Sequence, residues 1–282
     1  MRSSFPSTIR GFVTSILVLP AFTLFLLTFV TAIPLRAQNL EQLAVAPPQI
    51  SHAAPPANAT AKELESVGDE LQMSKNYLDA IDYYQAALVK DPQNAVLMNK
   101  TGISQLQLRR YKAAKKSFES AFQADKDYAN AYANLGVVYY EEESYTKSIR
   151  YYDKAISLDK DTAVFYNNRA ASFFAKKQFE KASSDYAKAL DLDPDIFERS
   201  ERGGGVQARL PSPQDRAHYD YVLAKLYAKT GSPERSLHYL RKAMEEGYKD
   251  IKNVYKDNEF TSLRNDPRFA ELMASKPVSI QE

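Results

Sequence analysis

Histidines are the first side chains to consider for chemistry, because imidazole binds metals and transfers protons near neutral pH. The 282-residue chain has three of them, His52, His218 and His238, and it has no cysteine. Their number and spacing do not match a metal site or a catalytic triad, and His218 and His238 are interpreted as surface or helix-packing residues. The lack of cysteine removes thiolate nucleophiles, disulfides and Cys-ligated zinc. We therefore expect no catalytic residue, no metal and no cofactor.

Carboxylates and glycines are the next candidates. The acidic run Glu141, Glu142 and Glu143 lies near the end of a predicted helix, where such a run is usually solvated. No acidic pair in an apolar setting argues for acid–base catalysis. The triplet 203–205 is all glycine, but no Lys-Ser or Lys-Thr follows it and no strand precedes it, so it is not a phosphate loop. These patterns predict a protein that is not an enzyme.

The charge balance also argues against a nucleic-acid partner. The chain carries 37 basic and 35 acidic residues, a net charge of +2. Residues 1–37 hold Arg2, Arg10 and Arg36 and no acidic residue, so the remainder has 34 basic and 35 acidic residues. A nearly neutral remainder gives no reason to expect nucleic acid.

A repeat of about 34 residues organises the chain from Ala61 onward. Each unit places a small residue, a second small residue 12 positions later, an aromatic ring 4 positions after that, and an alanine 3 positions further on. Two helices cross closely only where both present small side chains, and a ring fills the space beside the crossing. Four units follow at one constant interval, and a fifth follows after a longer one. They read Gly68, Ala80, Tyr84, Ala87; Gly102, Ala114, Phe118, Ala121; Gly136, Ser148, Tyr152, Ala155; Ala170, Ala182, Tyr186, Ala189; and Ala224, Ser236, Leu240, Ala243.

These residues resemble the tetratricopeptide repeat family, over about residues 61–248. The resemblance implies an all-α solenoid, a right-handed superhelix of antiparallel helix pairs, closed by a C-terminal helical cap. An aromatic residue recurs before each second helix, and Ser212 followed by Pro213 predicts the start of the fifth unit's first helix. The predicted organisation is a signal peptide or anchor (1–37), a Pro/Ala-rich tether (38–60), four repeats (61–196), an insertion (197–216), a fifth repeat-like unit (217–248), and a cap with tail (249–282).

In this family the first helix of each unit lines the concave face, which binds a protein or peptide. Asparagine offers both donors and an acceptor, so asparagines on successive helices can hold the backbone of an extended peptide. An alternative is that these asparagines only pack or solvate the groove. The first-helix residues outside the packing template are the candidate groove: Asn99, Lys100, Ile103, Asn130, Asn134, Val137, Asn167, Asn168 and Ala171.

Some family members grip a C-terminal carboxylate with two lysines, an arginine and two asparagines from three consecutive units. One frame here supplies Glu65, Asp69, Lys100, Asn130 and Asn134, and the next supplies Asn99, Ile103, Asn134, Val164 and Asn168. Neither frame has paired basic residues, so recognition of such a tail is not expected.

The N-terminus resembles a bacterial secretory signal. Residues 11–34 form an uncharged apolar run, and Leu35-Arg36-Ala37 precedes Gln38, which predicts cleavage after Ala37. The run approaches the roughly 20 residues of a membrane span, so an uncleaved anchor in the cytoplasmic membrane competes. Arg2 and Arg10 keep the N-terminus inside, which predicts a periplasmic or secreted product, or an anchored one that faces outward. Membrane contact is expected only through residues 11–34, and only if they are retained.

Two functions follow as expectations. The first is a non-catalytic scaffold or adaptor that binds a protein or an extended peptide outside the cytoplasm. The second is a membrane-anchored structural subunit of a cell-envelope assembly that keeps its N-terminal helix. The identity of the partner cannot be read from the fold.

Overall fold

The computed structural model describes residues 54–201 and 212–275. Within these ranges the chain is helical and contains no strand. The predictions for the signal segment, most of the tether, His52, the glycine triplet and the stretch 276–282 lie outside the described residues. No helix within the described residues is long and apolar enough to cross a membrane.

Four helix pairs follow one another with a constant period. Every helix in the second, third and fourth pairs begins one repeat period after its equivalent in the pair before. The first helix of each pair has 13 residues and the second has 14. The pairs are α1 (Ala61–Met73) with α2 (Tyr77–Lys90), α3 (Ala95–Gln107) with α4 (Tyr111–Ala124), α5 (Ala129–Glu141) with α6 (Tyr145–Leu158), and α7 (Ala163–Ala175) with α8 (Phe179–Leu192).

The remaining helices form the fifth unit and the C-terminal end. A short helix, α9, precedes the break in the described residues, and the next two helices make the fifth pair. Three short 3₁₀ helices and a final α-helix follow. Their bounds are α9 (Ile196–Glu201), α10 (Pro213–Lys229), α11 (Pro233–Glu245), the 3₁₀ helices Ile251–Tyr255, Asn258–Phe260 and Leu263–Asn265, and α12 (Pro267–Ser275).

Local sequence accounts for where α1 and α10 begin. The Thr60 side chain accepts from the backbone N–H of Glu63, and the Glu63 carboxylate accepts from the N–H of Thr60, which is a complete capping box. The side chain of Ser212 caps α10 by accepting from the N–H of Asp215 at 3.1 Å, and Pro213 occupies the first position. The helix that Ser212 and Pro213 predicted therefore begins at Pro213, four residues before the predicted boundary of the fifth unit at residue 217.

The helix crossings follow the small-and-aromatic template. A Cβ added to Gly102 would lie 2.5 Å from the Phe118 ring, and one on Gly68 would lie 2.6 Å from the Tyr84 ring. Because real Cβ atoms do not approach so closely, these positions require glycine or a shift of the ring. In the third unit the Ser148 hydroxyl donates to the carbonyl of Gly136 at 2.8 Å. The predicted all-helical repeat fold is thus confirmed at its crossings.

The turns between paired helices repeat as regularly as the helices. Lys75, Arg109, Glu143 and Lys177 all have positive φ, between 56° and 62°, and each lies one repeat period after the one before. This left-handed backbone is unusual for residues other than glycine. Gly231 takes the equivalent place in the fifth unit, with φ of 73°. The turn conformation therefore belongs to the repeat and does not depend on the residue type.

The fifth unit joins the fourth differently from the way the first four join each other. Phe197 on α9 is only 1% exposed, and its ring contacts those of Tyr186, Tyr219 and Tyr227. The assignment of residues 197–216 to an insertion between repeats therefore needs a correction at both ends: Phe197 belongs to the core, and residues 213–216 form the first turn of α10. The Phe197 ring fills the space between the fourth and fifth pairs.

The C-terminal segment covers the end of the fifth unit. Four of its apolar side chains are at most 3% exposed and belong to the same core cluster as the fifth unit. These side chains are Phe260, Leu263, Phe269 and Leu272. The Arg264 guanidinium donates to the carbonyls of Val254 and Asp257, which fixes the turns between the 3₁₀ helices. This segment buries apolar surface that a terminal repeat would otherwise expose.

Candidate functional site

A groove of about 690 Å³ runs across the first four units. The first helices α3, α5 and α7 supply most of its wall, because the repeat period brings the same helix face forward in each unit. Its lining is largely amide and apolar. The described residues that line it are Gln72, Lys75, Tyr77, Asn99, Ile103, Gln107, Asn130, Ala133, Asn134, Val137, Thr162, Val164, Phe165 and Asn168.

Six of the nine predicted groove residues lie together in this lining: Asn99, Ile103, Asn130, Asn134, Val137 and Asn168. The other three do not line it. Lys100 is held by carboxylates of α1, Ala171 is 5% exposed in the core, and Asn167 is half-buried outside the groove lining. A role for any of the nine in binding a partner stays a prediction.

Lys100 is engaged within the protein. Its ammonium lies 2.6 Å from a carboxylate oxygen of Glu65 and 2.7 Å from one of Asp69. Burial lowers the pKa of Lys100, but hydrogen bonds and charge attraction from Asp69 and Glu65 outweigh this and raise it overall. The lysine therefore stays charged, and two carboxylates neutralise it. Because Glu65 and Asp69 occupy two positions of the carboxylate-clamp frame, the clamp is replaced by this internal ion pair.

Two of the asparagines bond to each other. Asn134 Nδ2 donates to Asn99 Oδ1 at 2.8 Å, which joins α5 to α3 across one repeat. This bond uses one of two donors on Asn134 and one acceptor site on Asn99, so both side chains retain hydrogen-bonding capacity. The side chain of Gln72 makes a similar link, donating to Ser104 Oγ at 2.8 Å. Hydrogen bonds donated by side-chain amides therefore connect neighbouring units along the wall of the groove.

The groove also contains residues that are not among the nine predicted groove residues. Val164 is 45% exposed and lies one repeat period after Asn130, so the period itself indicates its place. Lys75, in the turn between α1 and α2, and Tyr77, the first residue of α2, also line the groove. No sequence pattern indicated these two residues as part of the groove, since only first-helix positions were considered.

A second depression, the α8–α10 cleft, has a volume of about 580 Å³ and lies between α8 and α10. Two of its charged lining residues, Lys225 and Glu259, form an ion pair at 3.3 Å, and the Lys225 ammonium also lies 3.0 Å from Asp257. The cleft is lined by Phe179, Glu180, Ser183, Ser184, Ala187, His218, Tyr221, Val222, Lys225, Leu226, Lys229 and Glu259.

His218 packs among rings at this cleft. Its imidazole lies 4.2 Å from the Phe179 ring and 5.5 Å from the Tyr248 ring, measured between centroids. Burial lowers the pKa of His218, opposed by the charge of Asp215 and assisted by that of Lys177. Such an environment fits the predicted helix-packing role.

The other candidate catalytic groups occupy structural positions. Glu142, directly after α5, forms an ion pair with Lys115, with 2.7 Å between its carboxylate oxygen and the ammonium nitrogen. Glu143 has the positive φ of the turn that follows. In the described part of the chain no group of three or more His, Asp or Glu residues is arranged to hold a metal ion.

Comparison with known protein families identifies the repeats in part of the chain. Two family models described as tetratricopeptide repeat match residues 99–163 and 163–196. No curated protein sequence matches the chain.

Solved structures similar to the chain are repeat proteins of low sequence identity. TTC0263, a thermophilic TPR protein in Thermus thermophilus, is 18% identical, with 76% of this chain and 99% of that one covered and a TM-score of 0.47. MamA from Desulfovibrio magneticus RS-1 is 15% identical, with 73% and 100% covered and a TM-score of 0.47. YrrB, described as a TPR protein with an unusual peptide-binding site, is 19% identical, with 70% and 91% covered and a TM-score of 0.44. At these scores, none of the similarities bears on the function of this chain.

The family matches cover the second, third and fourth helix pairs, and the first pair keeps the same period, turn and crossing. The chain is therefore a tetratricopeptide-repeat protein.

Proposed function

We propose that this chain is a non-catalytic scaffold that binds an extended segment of a partner protein in the groove. Tetratricopeptide repeats bind protein or peptide partners, and the first helices of three successive pairs wall this groove. The observation that supports the proposal most strongly is the lining itself. Among the described residues that line the groove, Lys75 is the one charged side chain, and the rest are amide, hydroxyl or apolar.

The lining favours an uncharged segment over a charged one. A charged group brought against the wall formed by α3, α5 and α7 would lose hydration without gaining an opposite charge, since Lys100 on α3 is already neutralised by Glu65 and Asp69 and Lys75 lies at the turn after α1. Backbone amides of an extended segment lose less, because asparagine side chains replace the hydrogen bonds to water. Apolar side chains of the segment would contact Ile103, Val137 and Val164.

Val164 and Val89 provide a matched test. Val164 is 45% exposed in the groove, whereas Val89 is 77% exposed on α2 and does not line it. Val164→Asp places a carboxylate in the groove, and Val89→Asp places the same group elsewhere. Partners recovered by the full chain from cell extract are quantified by mass spectrometry for the wild type and both variants. We expect Val164→Asp to lose specific partners that Val89→Asp retains; equal recovery by the two variants would contradict the proposal.

The compartment is the second part of the proposal. We infer an exported protein, released after cleavage between Ala37 and Gln38, from the arginines that flank the apolar run at 11–34. The alternative is a membrane-anchored structural subunit that retains this run. Both alternatives place the repeats outside the cytoplasm.

Intact mass after cell fractionation separates the two alternatives. A mass corresponding to residues 38–282 in the soluble extracytoplasmic fraction supports the exported scaffold. A full-length mass in the membrane fraction supports the anchored subunit. A full-length mass in the cytosol would contradict both.

A further inference from the structure

The four turns that join paired helices place equivalent residues in different surroundings. Lys75, Arg109, Glu143 and Lys177 share the left-handed backbone and lie one repeat period apart. Of these four, only Lys75 belongs to the groove lining. It is exposed, and within the described residues no carboxylate is paired with its ammonium. The turn of the first unit therefore brings an unpaired cation to the first-unit end of the groove.

Lys177 shows what a lysine at this turn position can bind. Its ammonium donates to a carboxylate oxygen of Asp215, in the first turn of α10. The other oxygen of that carboxylate accepts from the Ser212 hydroxyl at 2.7 Å. A lysine with this backbone conformation can therefore hold a carboxylate that a separate segment of chain brings to the turn. In the first unit, no described segment of the chain supplies such a carboxylate to Lys75.

The apolar residues on either side of Lys75 also distinguish the first turn. Met73 is 84% exposed and Leu78 is 53% exposed, whereas the next three units hold polar residues or alanine at the equivalent positions. The equivalents are Gln107, Glu141 and Ala175 for the first of these residues, and Lys112, Thr146 and Glu180 for the second. Neighbouring exposed apolar side chains indicate a surface that a partner covers more strongly than a single one does.

We propose that Lys75 binds a carboxylate of the bound segment, which is thus uncharged along the wall of α3, α5 and α7 and acidic at the first-unit end of the groove. This inference rests on the proposed function, because it requires a segment in the groove. The carboxylate belongs to an Asp or Glu side chain or to the C-terminus of the segment, since both present the same two oxygens to an ammonium. Lys75 lies in neither carboxylate-clamp frame, so this contact is separate from the clamp position of Lys100, whose charge is already neutralised.

The probe for the test is an uncharged dodecapeptide with an acetylated N-terminus and an amidated C-terminus. It is selected from a random phage-displayed library against the wild-type full chain, and when fully extended it spans about 40 Å. One set of derivatives carries a single Asp at each position in turn, and one further derivative has a free C-terminal carboxylate in place of the amide.

Lys75→Gln and Arg109→Gln are the matched variants. Each removes one positive charge from an equivalent turn, but only Lys75 lines the groove. Isothermal titration gives the Kd of the parent peptide and of every derivative for the wild type and both variants. The Tm of each free protein is measured alongside, and it should stay at the wild-type value because both side chains are exposed.

We expect a derivative with its carboxylate near one end of the peptide to bind the wild type about twofold to fivefold more tightly than the parent, as an exposed ion pair does. This gain should be lost in Lys75→Gln and kept in Arg109→Gln. Asp at central positions should weaken binding to all three proteins, since the wall offers it no opposite charge. A gain with Asp identifies a side-chain carboxylate, and a gain with the free C-terminus identifies the terminal one.

A gain that persists in Lys75→Gln, a gain that Arg109→Gln removes equally, or a set of derivatives with no gain at all would overturn this role of Lys75. Each of these results would leave the groove as the binding site, provided that Val164→Asp weakens binding of the parent peptide. If Val164→Asp leaves that binding unchanged, the proposed function fails, and the role of Lys75 fails with it.

Discussion

The groove and the α8–α10 cleft both lie between helical units, but their polar groups are used differently. In the cleft, Lys225 is paired with Asp257 and Glu259, and Tyr221 donates to Asp257 at 2.9 Å. These bonds attach the C-terminal segment to the fifth unit. In the groove, amides predominate, and several retain donors or acceptors. The difference indicates that the cleft is a structural joint, whereas the groove has hydrogen-bonding capacity left for a partner.

The two regions also differ in how their helices meet. In the first three units a glycine lies against a ring where the paired helices cross, and each of these units repeats the arrangement of the one before. Where α8 meets α10, the additional helix α9 places the Phe197 ring between the fourth and fifth pairs. The first arrangement follows the repeat period, and the second lies outside it.

Removing Phe197 should have the largest effect on stability. Phe197→Ala deletes a ring that is 1% exposed and packs against Tyr186, Tyr219 and Tyr227. The loss of buried area and the resulting cavity should lower the free energy of unfolding by about 3–5 kcal/mol, measured by urea denaturation. Tyr255→Ala, at a ring that is 55% exposed, is the control and should cost far less. Equal effects would mean that Phe197 does not join the fourth and fifth pairs.

Crowding a crossing beside the groove should have the next largest effect. In Gly102→Val the new Cβ alone would lie 2.5 Å from the Phe118 ring, so α3 and α4 must move apart. We expect a loss of about 3 kcal/mol in the free energy of unfolding.

Gly231 provides the matched control for this substitution. It has φ of 73° and no atom within 4 Å of an added Cβ. Gly231→Ala should therefore cost only the backbone strain of about 1 kcal/mol. A smaller loss for Gly102→Val than for Gly231→Ala would contradict the account of the crossings.

Acidification should have the smallest effect, and it should act at the joint. Burial lowers the pKa of His218 below its usual 6.5, so the unfolded chain binds a proton more readily than the folded one. The stability that neutral His218 provides is present above pH 6.5 and is lost as the pH falls through the lowered pKa of the folded protein. The groups that face it are Asp215, Lys177, Asp250 and Lys225.

Thermal unfolding between about pH 7.5 and 5.5 measures this dependence. Tm should fall with pH in the wild type and fall less in His218→Phe, which keeps a ring between Phe179 and Tyr248. An equal slope in both proteins would show that His218 does not titrate with folding.

The period of the sequence was enough to predict the regular units. Small residues and rings recur at one spacing, so the helix pairs, their crossings and six of the nine groove positions follow from it. The period did not predict that Lys100 is unavailable to a partner. Its ammonium is paired with Glu65 and Asp69 of the preceding unit, and the template includes neither residue. Phe197 was assigned to a loop because glycines follow it, although its own burial comes from tertiary contacts.

Isothermal titration of an uncharged dodecapeptide into two matched variants tests the central claim most directly. The peptide is selected from a random phage-displayed library against the wild-type full chain alone, before either variant is tested. Val164→Asp places a carboxylate in the groove, and Ser184→Asp places one at an exposed position of the α8–α10 cleft. If the groove is the binding surface, Val164→Asp weakens binding at least about tenfold and Ser184→Asp leaves Kd within about twofold. Weaker binding in Ser184→Asp with wild-type affinity in Val164→Asp would contradict the account.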